Sequence, residues 1–436
     1  MARKSAFYYL YWAVLLAAAV VGLWALGVRT TQGLRVTNLG SIIPWGLWVA
    51  FYIYFIGLSA GSFLLSTLVY VFGVKKYERV GKTAVFTAFV SLVAGLLFVL
   101  IDIGHMERFW TVFFRRNLRS VLEWEIHFYL VYIVILLAEL WLLMRTDLIR
   151  RAQEPGLVGQ VSRLLTLGSS DLSPLSVVRD RRWVTFLGAL GIPVAIAVHG
   201  GTGAIFAVVK ARPYWHTGLF PVIFLVSAMA SGGALLAFIE AVLGGNSSDK
   251  EHRTVVTSLG RLVAGILALD VLLLASEFLV GLYGEIPEHI AGFQTIMAGP
   301  FWWVFWIVQL GFGVLVPFLI LLFRRTRDSA GWVGLASLLI VIGIFGVRLN
   351  IVIPALSIPV IPGIESAISS VRISDYYYPT AVEWLSSIGV VAICMIIFTL
   401  GAELLPLREK LGRPHERGAG LVAGRSERPL PGTSQN

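Results

Sequence analysis

Cysteine is almost missing from this chain: Cys394 is the only one in 436 residues, and it sits inside an apolar run. An internal disulfide is impossible, and the chain cannot supply the thiolates of an iron–sulfur cluster. Charge is scarce too, at 14% of residues against roughly 25% in soluble domains. Of the seven histidines, only His127 and His199 fall within long apolar stretches. A b-type haem needs paired axial histidines, so one haem is the upper limit. No metal site is expected from the remaining residues. Short alternating strands are lacking, which argues against a β-barrel.

What the chain has instead is hydrocarbon. Hydrophobic residues make up 57% and the mean hydropathy is +0.81, which predicts an all-α integral membrane protein. Runs of spanning length occur near 8–28, 46–72, 83–103, 121–144, 183–209, 218–243, 260–283, 301–323, 331–353 and 382–405. That gives about ten transmembrane helices. The first run follows Arg3-Lys4 but ends without a small-x-small cleavage site, so it reads as a retained helix rather than a signal peptide.

Most lysines and arginines fall on the N-terminal side of these runs, including Lys75, Lys76, Arg145, Arg150, Arg151, Arg163, Arg324, Arg325 and Arg408. The opposite side has Arg29, Arg35, Arg108, Arg115, Arg116, Arg119, Lys210, Arg212 and Arg372. The positive-inside rule then puts both termini in the cytoplasm, with the chain in the cytoplasmic membrane. The net charge of +10 is spread over loops and tail, which points to topology and anionic lipid and not to nucleic acid.

A weak repeat relates Gly46-Leu47, Ser59, Gly61, Leu64 and Gly73 to Gly218-Leu219, Ser231, Gly233, Leu236 and Gly245 at a constant offset of 172. Four helices separate the copies, as in parallel repeats. The expected organisation is a first helix and outer loop over 1–45, a four-helix bundle over 46–209, a second over 210–353, an outer loop and last helix over 354–405, and a disordered tail over 406–436. The small residues at the repeat positions suit close helix packing. A long polar loop is expected over 145–182.

Ionisable residues within spans are costly and usually functional. The densest stretch runs from Asp102 at the end of the third run to Glu125 and His127 in the first turns of the fourth. His199, in His199-Gly200-Gly201-Thr202-Gly203, counts to the outer half of the fifth helix. Asp102, Glu125, His127 and His199 are therefore expected to converge on a quinone, with Asp102 and His199 catalytic. A quinone ring needs hydrogen-bonding partners in an apolar pocket, and its redox chemistry moves protons. Glu277 and Arg348 count to equal depth and are expected to pair; with Glu139, Glu240 and Asp270 they are candidate stations of a proton route. Arg108, Arg115, Arg116 and Arg119 defy the positive-inside trend, which suggests a docking patch for an acidic partner.

The pattern Asp102-Ile103-Gly104, Arg108-Phe109, Asn117, Ser120 and Trp124-Glu125 resembles the signature of the NrfD-like family, the membrane subunits of polysulfide reductase and related respiratory complexes. Pro44-Trp45-Gly46-Leu47-Trp48, the His199 motif with Pro213-Tyr214-Trp215-His216, and Arg348-Leu349-Asn350 with Tyr378-Pro379 and Glu383-Trp384 resemble its ten-helix branch. Family members often carry Arg-Pro where this chain has His105-Met106, so no role is carried over to that pair. The resemblance implies a haem-free subunit that exchanges electrons between menaquinone or menaquinol and an outward-facing iron–sulfur protein. That protein would be linked to a multihaem cytochrome or a catalytic subunit. A secondary transporter with parallel repeats, or a single-haem b-type cytochrome, are the alternatives.

Overall fold

The computed structural model describes residues 6–407, apart from 246–248, 362, 369 and 371. Nearly all of the tail expected over 406–436 lies outside the described residues, as do Arg3 and Lys4. The described chain is helix and loop throughout, with ten helices long and apolar enough to cross a membrane. They are α1 (Ala6–Gln32), α2 (Leu47–Tyr70), α3 (Glu78–Asp102), α4 (Val121–Arg151), α5 (Pro174–Ala207), α6 (Phe220–Leu243), α7 (Lys250–Tyr283), α8 (Val304–Leu322), α9 (Ala330–Leu356) and α10 (Ala381–Leu404).

Every apolar run became a helix, but several helices outlast their runs. α5 starts at Pro174, where the Ser173 side chain accepts from the Ser176 amide and proline occupies the first turn. α7 starts at Lys250, capped by Asp249. Capping chemistry sets a helix end, whereas hydropathy marks only the part inside hydrocarbon. The loop expected over 145–182 shrinks accordingly. α4 continues to Arg151, a short helix occupies Leu157–Leu165, and α5 begins soon after. The first twelve residues of α8, Val304–Leu315, are π-helical.

The spanning helices pair in two sets. α2 packs on α3 and α5, and α4 packs on α5; in the second set α6 packs on α7 and α9, and α8 packs on α9. The two sets meet along α2 and α6. There a Cβ on Gly61 would overlap the Ala228 carbonyl, and one on Gly232 would overlap the Ser62 amide. Glycine is what lets the two backbones touch. α1 pairs with α10 through Gly22 and Gly389, and α10 also packs on α3.

Candidate functional site

Asp102 is the last residue of α3, and its Oδ1 is buried without a hydrogen-bond partner. Beside it stands Arg29 of α1, only 1% exposed, donating from Nε to the Ile101 carbonyl (3.0 Å) and from Nη2 to the Ile103 carbonyl (2.8 Å). These are end-of-helix carbonyls with no partner inside the helix. The Arg29 guanidinium lies 5.6 Å from the Trp48 ring centroid, and Trp48 donates to Ser386 of α10 at 3.0 Å. Asp102 therefore sits among elements from α1, α2 and α10.

Glu125 is buried in a cage of hydroxyls. Its Oε1 accepts from Tyr52 of α2 (3.0 Å), from Tyr129 one turn on, and from Thr202 of α5, while Oε2 has no partner. The two tyrosine hydroxyls are 2.8 Å apart. Thr202 lies one turn beyond His199 on the same helix face, so the two groups stand one above the other. His199 is fully buried; its Nε2 is 3.4 Å from Arg348 Nη2, and its Nδ1 has no partner. Arg348, also fully buried, donates to Ser227 and lies 4.6 Å from the Phe224 ring centroid, leaving Nε and Nη1 unpartnered. Asp270 is the carboxylate whose charge acts on it.

The expected convergence is therefore only partial. Gly57 of α2 abuts the His199 ring, and its neighbour Ile56 abuts Gly95 of α3. Gly95 precedes Asp102 by seven residues, so His199 lies about 10 Å deeper than Asp102 at ~1.5 Å per residue. Glu125 joins the α5 motif through Thr202. His127 does not join it: two residues on, it faces away, with Nδ1 2.8 Å from the Glu123 carbonyl. Stacked rings of Phe51, Phe55 and Phe98 line the space between α2 and α3, with Phe51 and Phe98 centroids 4.8 Å apart.

The expected pair of Glu277 and Arg348 is not formed, for among the described residues neither has an ion pair to the other. Equal depth on α7 and α9 did not make them neighbours; Arg348 turns toward α5 and α6 instead. Glu277 acts electrostatically on Tyr214. Glu240 lies in an ion cluster with Arg79 Nε (3.0 Å) and His252 (3.2 Å). The same Arg79 holds the Asp249 carboxyl below its ordinary range by a 2.9 Å hydrogen bond. Glu139 is fully buried with neither oxygen partnered. Arg108, Arg115, Arg116 and Arg119 are all exposed on the 104–120 loop, and Arg116 reaches Glu123 at 3.4 Å.

Sequence reasoning missed Tyr52, Tyr129, Thr202 and Ser227, because lone hydroxyls in apolar helices carry no pattern. It counted Arg29 as an outer-side charge, and only burial distinguishes it from Arg35.

Ten spanning helices in two similarly paired sets, with unpartnered ionisable groups buried between them, define a polytopic membrane protein with a buried polar site. Comparison makes the class specific: the chain belongs to the polysulphide reductase, NrfD family, whose model matches residues 35–360. It is 45% identical over 413 residues to a selenate reductase subunit from Mesobacillus selenatarsenatis, covering 93% of this chain and 96% of that one. It is 28% identical over 403 residues to the Hdr-like menaquinol oxidoreductase integral membrane subunit of Archaeoglobus fulgidus, with 90% and 92% covered. Similarity also extends to the menaquinone reductase integral membrane subunit of Nitratidesulfovibrio vulgaris, at 26% over 396 residues, with 88% of each chain covered.

Proposed function

We propose that this chain is the quinone-reactive membrane subunit of a respiratory redox complex, oxidising menaquinol and passing the electrons to an outward-facing iron–sulfur subunit. The observation that carries this reading is a set of three buried atoms without partners, Asp102 Oδ1, Glu125 Oε2 and His199 Nδ1, within α3, α4 and α5. A quinol loses two electrons and two protons from hydroxyls on opposite edges of its ring. It therefore needs a proton acceptor within reach and an apolar wall such as Phe51, Phe55 and Phe98. Two relatives are named for menaquinol or menaquinone. A third, at 45% identity, is named for selenate reductase, and a reductase consumes electrons, which supports flow from quinol outward; the relative named menaquinone reductase, at 26%, has the opposite direction in its name. The electrons would pass through the iron–sulfur subunit to a multihaem cytochrome or catalytic subunit.

The alternatives fit less well. α2 to α5 are each unbroken along their length, whereas transporter sites are built from interrupted helices. His127 is bonded to its own helix and His199 faces Arg348, so they do not offer the facing pair that a b-type haem requires. An inward proton route would use Glu139 and the Arg348–Asp270 region, while Glu240 is taken up by Arg79 and His252.

The purified complex is expected to oxidise a soluble naphthoquinol with reduction of its own downstream centres. The same complex lacking this chain should not. Unchanged quinol-dependent reduction without it would overturn the proposal.

Orientation and docking belong to the same reading: both termini cytoplasmic, and the exposed arginines of the 104–120 loop facing an acidic surface of the iron–sulfur subunit. In a Cys394→Ser background, Arg116→Cys is expected to react with an impermeant thiol reagent in intact cells expressing this chain alone. Assembly of the complex should then protect it. No labelling from outside would reverse the topology, and equal labelling in the complex would move the docking surface elsewhere.

A further inference from the structure

Asp375, in the loop before α10, lines a shallow cavity of about 270 Å³ including its open mouth. The other walls come from separate parts of the chain. They are Thr295 of the short helix Pro287–Ala298, Phe301 ahead of α8, Pro354 and Ser357 at the end of α9, and Tyr376. We propose that the cavity is a socket for a lysine or arginine side chain of the outward-facing subunit, an anchor separate from the arginines of the 104–120 loop. The inference rests on the iron–sulfur partner proposed above.

Three features of the cavity suit a cation. Among the described residues, Asp375 is the one charged group in its lining, and it has no ion pair. Phe301 and Tyr376 supply rings, each packed on Tyr378 with centroids 5.0 and 4.9 Å away, and aromatic faces attract cations. The third feature is the C-terminus of α9, where the helix dipole is negative. Arg212 takes the Ala355 and Ile358 carbonyls there, but it does not line the cavity. The loop is held in place by its own contacts. Ser374 Oγ accepts from the Tyr376 amide (3.1 Å), Asn38 Nδ2 donates to the Tyr378 carbonyl (2.7 Å), and the Ser41 amide donates to the Arg372 carbonyl (2.7 Å). Tyr377, buried and also in the lining, accepts from the Leu47 amide at the start of α2 (2.9 Å). The socket therefore lies on the side of the membrane where α2 begins and α3 ends, which is the side of the 104–120 loop. The two surfaces have opposite sign. A partner held only by a positive patch can rotate on it, whereas an acidic face on the patch and a base in the socket fix one orientation.

The test uses membranes carrying the assembled complex, with the photoreactive p-benzoylphenylalanine in place of Tyr376. Illumination should join this chain to the outward subunit, at a peptide that contains a lysine or arginine. An adduct with lipid alone, or no adduct with another protein, overturns the socket. Charge variants probe the same contact through the salt needed to strip the outward subunit from the membrane. Asp375→Glu should behave as wild type. Asp375→Asn should hold the subunit on the order of tenfold less tightly, and Asp375→Lys less tightly again. The Asp375 side chain is exposed, so all three variants should insert at wild-type yield. Retention unchanged by Asp375→Lys overturns the socket as well. An adduct with an outward protein that carries no iron–sulfur cluster would keep the socket and overturn the iron–sulfur reading of the partner.

Discussion

An Asp102→Asn variant is expected to insert and assemble as wild type does, yet to oxidise quinol about 10²–10⁴-fold more slowly. Asparagine keeps the size of the side chain and can occupy the same place beside Arg29 and Trp48. It cannot take a proton from a hydroxyl as the electrons leave. Oδ1 is buried and without a partner, so the substitution breaks no existing hydrogen bond there and the structural cost should be small. That separates chemistry from folding: the rate should collapse while the amount of complex recovered stays constant. Both are read from one preparation, by quinol-dependent reduction of the downstream centres and by subunit stoichiometry. Turnover within a few-fold of wild type by the assembled variant would remove Asp102 from the site. Loss of assembly would mean that the carboxylate serves the outer end of α3 and not the chemistry.

How much of this could be read from the sequence depends on what each signal measures. Hydropathy over a spanning length located all ten helices, because the requirement is imposed by hydrocarbon thickness and not by neighbours. The ends were read less well, since Ser173 and Asp249 cap helices outside the hydrocarbon. Counting residues along a helix gives height, but says nothing of lateral position. Asp102 and His199 both hold a buried atom without a partner, yet α2 stands between α3 and α5 and packs on both. Glu277 and Arg348 failed as a pair for the same reason. Glu125 was recognisable as a carboxylate in a span, but its cage of Tyr52, Tyr129 and Thr202 comes from three helices whose adjacency no local pattern encodes. Arg29 shows the limit most clearly. Just past Gly27, at the end of an apolar run, it would snorkel outward; here the Ile101 and Ile103 carbonyls hold it in.

The buried ion pair that sequence reasoning sought on α7 and α9 lies instead at the other surface, between α4 and α5, and it carries the largest stability effect expected. Arg145 is 2% exposed and Asp180 7%, with Nη2 and Oδ2 at 2.6 Å. The guanidinium is fully used. It also donates to Ser169 Oγ (3.0 Å), to the Asp171 carbonyl (2.7 Å) and to Ser176 Oγ, so one side chain joins α4 to the connection and to the first turn of α5. Arg145→Met would leave Asp180 as a lone buried charge and take the donor from three further groups, a loss of ~3–5 kcal/mol. Adding Asp180→Asn removes the stranded charge and should recover part of that loss, because the two sites are directly coupled. The control is Arg261→Met, which breaks an exposed pair with Asp328 at 3.1 Å and should cost no more than about 1 kcal/mol. Thermal midpoints of the detergent-solubilised chain, followed by monodispersity on size exclusion, rank these three variants and Asp180→Asn alone. A midpoint for Arg145→Met no lower than that of Arg261→Met would mean that the α4–α5 connection does not depend on this pair. A double variant as unstable as the sum of its two single changes would mean that the partners do not stabilise one another.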